Sequence, residues 1–385
     1  MRRTDTEILL RSRVLDHSAR KKMADFVQHE VPQVQNFVKS GNQFLRTARS
    51  FIVKSVREGK LTRDRGRAYF KEMLHTILFC GSINSPIIKP EEILEYGEFH
   101  LLSAKYPDVF QKYNTHLPTR PPYTVLLKAV VEIMGTNVNE VLECLMDLND
   151  QMAVDFTDDN SSKCGNAFVS TVISSCYFYN VIVREKTNNY FGASLSCKGR
   201  QQKEIMIDIL CCQTWHRDIS LAVCVGNWFN KQAFRFPPKV QSMAFKINPP
   251  GVGSTPGSRY DRPSRVQMSS SLERSRPPLK QRISLIHREL YGIWYDMLTD
   301  VNYDPIPVSH KHLYYEFGNC AECESLSQLL CANQPIAERL EYTNFLTEPT
   351  NRSGLINLKH ERLEENLKLL GFNGGRHLEF YDPSV

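Results

Sequence analysis

The chain has no apolar run approaching the roughly eighteen residues of a bilayer span. Residues 1–13 carry neither a long apolar segment nor a small-residue cleavage site. These absences predict an intracellular protein, cytoplasmic or nuclear, with no membrane span. A disulfide framework is missing as well. The 11 cysteines are odd in number and scattered, and two of them, Cys211 and Cys212, are adjacent. Common phosphate chemistry leaves no trace either. There is no Walker sequence and no nucleophile elbow, and Gly251, Gly253 and Gly257 have the wrong spacing for a dinucleotide loop. His216-Arg217-Asp218 matches a kinase tripeptide, but Val223 stands where that motif needs a metal-binding Asn.

What is present is an ordinary globular composition. With 41% hydrophobic and 23% charged residues, 385 residues can bury a sizeable core and form two or three domains. The net charge of +6 suits a polyanionic partner without demanding one. Phe37, Val38, Phe44, Leu45, Ala48, Phe51, Ile52 and Val56 recur at helical spacing, with Lys and Arg on the opposite face. Pro90-Glu91-Glu92 opens another helix, with proline and acids where a first turn prefers them. Residues 123–148 read as one long helix or two, split near Gly135-Thr136-Asn137. Periodicity does not decide between helix and strand for residues 167–182 and 206–234. Pro249–Pro278 is rich in Gly, Ser and Pro and carries Arg259, Arg262, Arg265, Arg274 and Arg276. It reads as a basic linker that contacts phosphates or serves as a solvated tether.

Chemistry concentrates in residues 310–353. Leu313-Tyr314-Tyr315-Glu316-Phe317 suits a strand, and Gly318-Asn319 breaks it. Leu326, Leu329 and Leu330 then mark a helix that begins at Cys320-Ala321-Glu322-Cys323. A thiol at a helix start is pushed toward thiolate by the dipole. Residues 342–347 read as a second strand, ending at Glu348-Pro349 before a further helix. This order of strand, Cys-Ala-Glu helix, strand and Pro-led helix resembles the core of the cytidine deaminase superfamily of zinc-dependent base deaminases.

The resemblance covers roughly residues 300–385. It implies that Cys320 is a metal ligand and that Glu322 is the catalytic proton shuttle. Pro349 then matches the family's proline, and Thr350 and Ser353 stand where its two later cysteines bind zinc. Neither hydroxyl is an ordinary zinc ligand, so the motif is degenerate. A second metal reading uses His310, His312, Cys320 and Cys323, four residues of suitable chemistry. The plain readings are buried free cysteines, an acid complementing the helix dipole, and a helix-entry proline.

The expected architecture is α+β. Residues 1–248 form a mostly helical region, 249–278 a basic linker, and 279–385 a deaminase-like α/β domain. That domain has helices starting near Lys280, Cys320 and Ser353, and strands 313–317 and 342–347 are neighbours in one sheet. No cofactor is expected, and zinc is the metal these residues would admit. The corresponding function is a divergent deaminase-like protein without zinc catalysis, meeting a nucleotide or nucleic acid through the linker and the C-terminal pocket. The alternative is a non-enzymatic scaffold that binds another protein and has no nucleic-acid role.

Overall fold

A computed structural model of the protein describes residues 34–154, 166–180, 184–197, 199–229, 233–237, 239–247, 283–285, 318–343, 346–372, 374 and 378–384. The expected strand at 313–317, the linker 249–278 and both His310 and His312 lie outside the described residues.

The first half is a helical layer. Helix α1 (residues 34–57) buries Phe37, Phe44, Leu45, Ala48 and Ile52, the stripe read from the sequence. It packs beside α2 (Arg63–Ser82), whose N-cap Thr62 accepts from the Arg65 N–H. The segment from Tyr69 through Gly81 is buried almost without interruption, so α2 forms the centre of this layer. Short helices α3 (Pro90–Ile93), α4 (Tyr96–Lys105) and α5 (Pro107–Lys112) follow. Helices α6 (Pro122–Met134) and α7 (Val138–Gln151) are the expected pair, separated at Gly135, whose φ of 79° ends α6. Asn137 then caps α7 by accepting from the Asn139 N–H.

The sheet comes from residues 172–247, inside the region expected to be mostly helical. Strand β1 (Val172–Asn180) pairs antiparallel with β2 (Glu185–Lys186), β3 (Tyr190–Ala193) and β5 (Val240–Ile247). Strand β4 (Phe234–Arg235) lies outside this sheet. Val172, Ile173, Ser174, Ser175 and Cys176 are all buried, which removes the alternation that would have marked β1 as a strand. Residues 199–229 are helical instead: α8 (Gly199–Ile209), a π-helical turn (Leu210–Thr214) and α9 (Arg217–Phe229). Strand β6 (Ile283–Leu285) extends the sheet beside β5. These three residues are therefore not part of the helix expected from Lys280, because the edge of β5 offers their backbone groups partners.

The C-terminal part adds α10 (Ala321–Ala332), α11 (Gln334–Ala337), β7 (Glu341–Tyr342) and α12 (Pro349–Leu369). Of the strand expected at 342–347, Tyr342 lies in β7, which pairs antiparallel with β4, away from the main sheet, while Thr343 and 346–347 are not in a strand and 344–345 lie outside the described residues. Helix α10 lies on the sheet of β1, β3 and β5, where Ser174 Oγ donates to Ser325 Oγ at 2.7 Å. Ser174 stands opposite Gly192 and Ala244, so these small residues share the face that meets the helix. Gly192 is required there: a Cβ would lie 2.1 Å from the Ala321 carbonyl oxygen.

The boundary expected between 1–248 and 279–385 thus does not separate two cores. One continuous cluster of buried apolar residues runs from Phe37 through Ile173 and Leu221 to Leu329, Leu363 and Tyr381. Residues 378–384 close it as a strap. Leu117 N–H donates to Glu379 O at 2.7 Å and Tyr381 N–H to Leu117 O at 2.8 Å. The Tyr381 ring stacks on His75 with centroids 4.0 Å apart, and its hydroxyl donates to Asp108 Oδ2 at 2.7 Å.

Candidate functional site

Helix α10 carries the residues singled out by the sequence. Gly318, with φ of 101°, turns the chain against Ile207 and Val223, and Leu195 N–H donates to Asn319 O at 3.0 Å. Cys320 is the N-cap in extended conformation, with φ −78° and ψ 144°, and its side chain makes no capping bond. Cys323 N–H donates to Cys320 O at 3.3 Å, closing the first turn.

The environment is sealed. Cys320 is 6% exposed, Glu322 8% and Cys323 0%. Burial pushes the Cys320 and Cys323 thiols above the usual range, with neighbouring Glu322 adding to the effect. The thiolate expected from the helix dipole is therefore not favoured, because desolvation exceeds what the helix terminus supplies. Burial likewise raises the Glu322 carboxyl. Its Oε2 has no hydrogen-bond partner, whereas nearby Glu324 accepts from Trp215 Nε1 at 2.7 Å and from Gln328 Nε2 at 3.0 Å. Cys176 on β1 is pushed up to about 12 by burial and by Glu322, against the lowering effect of its hydrogen bond with Ser325.

Thr350 and Ser353 do not join this group. Both are exposed in the first turns of α12, and Arg217 Nη2 donates to Ser353 Oγ at 2.8 Å. The N-cap of α12 is Glu348, so neither hydroxyl takes the capping place. Where α12 runs deepest it presents Lys359, which neighbours Cys211, itself a neighbour of Cys323. Thr350 lies nine residues earlier, about 14 Å along the helix axis. Among the described residues, no group of three His, Cys, Asp or Glu is placed to hold a metal ion.

The sequence reading missed an ion pair. Lys359 Nζ binds Asp208 Oδ1, with the two side chains 2% and 1% exposed. Arg362 Nε lies 3.7 Å from Asp208 Oδ2 and its Nη2 lies 3.5 Å from Glu204. Burial pulls the Lys359 ammonium down, but Cys211 and Asp208 outweigh it and hold it above the ordinary lysine range. The signal was legible in principle: Leu355, Lys359, Leu363 and Leu367 form an i, i+4 stripe with a lysine among leucines.

An open groove lies within the helical layer. It has a volume of about 560 Å³ and is lined by α1, by residues 91–96 and by Ala153 and Val154. Asn42 ties its walls together, donating to Ile93 O at 3.2 Å and to Glu98 Oε2 at 3.3 Å. Val38, Ile93, Leu94 and Val154 supply apolar lining, and Glu91, Glu92 and Glu95 supply carboxylates against Lys39. Glu92 is engaged by the Lys89 N–H at 2.7 Å and Glu95 by Arg46 at 2.7 Å. Tyr96 is part of the lining and 82% exposed, with its ring edge-on to His100. No family model, curated protein or solved structure matches the chain.

Proposed function

We propose that this chain is a non-catalytic protein-binding module, and that the groove between α1 and residues 91–96 seats a basic, partly apolar segment of a partner protein. The observation that carries this reading is the groove itself: it is open, and its lining combines apolar side chains, three glutamates and an exposed tyrosine. Aromatic anchors beside charge-complementary rims are what short protein segments use for recognition. The competing deaminase-like reading needs three protein ligands and a water at one metal. The burial of Cys320 and Glu322, and the exposure of Thr350 and Ser353 on another helix, give it no support.

The test uses the full chain and fluorescent peptides that combine leucine or phenylalanine with lysine or arginine. Their charge-reversed counterparts and a single-stranded oligonucleotide serve as comparisons. Basic peptides should bind, weaken as salt rises, and lose about tenfold or more in affinity on Glu91→Lys with Tyr96→Ala. Glu338→Lys, on a distant exposed turn, should leave binding unchanged. Equal binding of acidic and basic peptides, or indifference to the groove changes, would refute the assignment. Preferential binding of the oligonucleotide would favour the nucleic-acid reading. Stoichiometric zinc that is lost on Cys320→Ala would restore the metal reading.

A further inference from the structure

One edge of the core is closed by a segment that a single side chain anchors. Within residues 378–384 only Tyr381 is buried, and Leu117 alone supplies the backbone pairing described above, at 2.7 and 2.8 Å. The Tyr381 ring covers His75, with centroids 4.0 Å apart and planes 3° from parallel. His75 itself is fully buried. Its Nε2 lies 3.3 Å from Lys112 O, which can only accept, so Nε2 carries the proton of the neutral ring. Nδ1 is then the bare nitrogen, and it is buried with no hydrogen-bond partner. Charging the ring would place a second N–H there with nothing to receive it, which is costly inside a core. Burial accordingly pulls His75 down to about 3.

We propose that residues 378–384 are an acid-released strap, docked over neutral His75 and freed when that ring takes up a proton at Nδ1. Undocking removes the Tyr381 ring and opens His75 to water, where its pKa returns toward the ordinary value of about 6.5. The released state therefore binds the proton more tightly than the docked one. Docking is at full strength above about pH 6.5 and weakens as pH falls toward 3. For a ring that regains the ordinary value, the docking equilibrium drops about thirtyfold between pH 7.5 and 5.0.

The other charges around the strap do not cancel this. Protonation of His116 strengthens its 3.0 Å pair with Glu379 and so favours docking, but Glu379 is 68% exposed and such a pair contributes little. Asp108 accepts from the Tyr381 hydroxyl at 2.7 Å and lies 3.0 Å from Lys71 Nζ. Burial pushes its carboxyl up, but Tyr381 and Lys71 outweigh burial and hold it below the ordinary range, so it stays ionised. Lys112 adds positive charge that further disfavours the imidazolium. Glu72 is engaged by Thr119 at 2.6 Å and Arg120 at 3.4 Å, and Asp382 by Ser384 Oγ at 2.6 Å.

Hydrogen exchange of the full chain tests this, read by mass spectrometry at pH 7.5 and 5.0 and corrected for the intrinsic pH dependence of exchange. Protection of the segments containing Leu117 and Tyr381 should fall about ten- to thirtyfold at the lower pH, while that of Leu329 in α10 holds. His75→Phe keeps a stacking ring without a titrating nitrogen, so the fall should vanish. His75→Gln serves in its place if that protein does not fold. Tyr381→Ala should leave the strap unprotected at both pH values, and His116→Gln should keep the response or enlarge it. Equal protection at the two pH values, a wild-type response in the non-titrating variants, or its loss in His116→Gln would overturn the proposal. So would loss of protection at Leu329 over the same range, because the whole fold would then be opening.

Discussion

Glu322 is the residue whose position is hardest to reconcile with stability alone. An ionisable side chain buried in the first turn of α10, with one oxygen unpartnered, opposes folding by desolvation. Its folded pKa is raised above the unfolded value, so the folded state holds the proton more tightly. Stability from this group is complete below the unfolded pKa and is lost as pH rises through the carboxylate range. Glu322→Met should therefore stabilise the protein by about 1–3 kcal/mol at pH 7. The gain should shrink as pH falls through the raised folded pKa toward the ordinary carboxyl value of about 4.5, and stay constant below it. Denaturant midpoints measured at neutral and acidic pH check both the sign and the window, and a destabilised Glu322→Met protein at pH 7 would contradict the burial argument. The sequence identified Cys320 and Glu322 as chemistry-bearing residues. It could not show that their helix lies flat on a sheet, because Gly192, which permits that approach, is nearly 130 residues away in sequence.

At the scale of elements, α12 is tied to α8 by Lys359 and Asp208. Breaking such a pair on one side leaves the other charge buried, whereas replacing both by apolar residues is often neutral. Lys359→Met alone should lower stability by about 3–5 kcal/mol. Lys359→Met combined with Asp208→Leu should recover most of that loss, as read from unfolding midpoints in a double-mutant cycle. Additive losses would mean that the pair is not coupled. Elements were legible where local chemistry decides them. The α6–α7 break shows in Gly135 and Asn137, and the end of α12 in Gly371, whose φ is 69°. Strand β1 was not legible, since helix α10 and the helical layer bury successive residues and erase the period of two. The registers of Thr350 and Ser353 likewise depend on where α12 docks, which is fixed by the distant residues Arg217 and Asp208.

For the whole molecule, the single core predicts interdependence of its two ends. A chain ending after Ile247 lacks α10, α12 and the strap at Tyr381, and so uncovers the face of Ser174, Gly192 and Ala244. It should show no cooperative thermal transition and should bind a hydrophobic dye, as expected when specific packing is lost. A monomeric truncation with a sharp melting transition would refute the shared core.

The placement of α10 also bears on synthesis. The strands from Val172 to Ile247 leave the ribosome well before residues 321–332, and at ordinary translation rates the interval is on the order of ten seconds. Throughout it, the nascent sheet has one face bare and an unpaired edge, the surface to which holdase chaperones and sister chains bind. Shielding that face until its covering helix is translated should therefore raise the yield of folded protein.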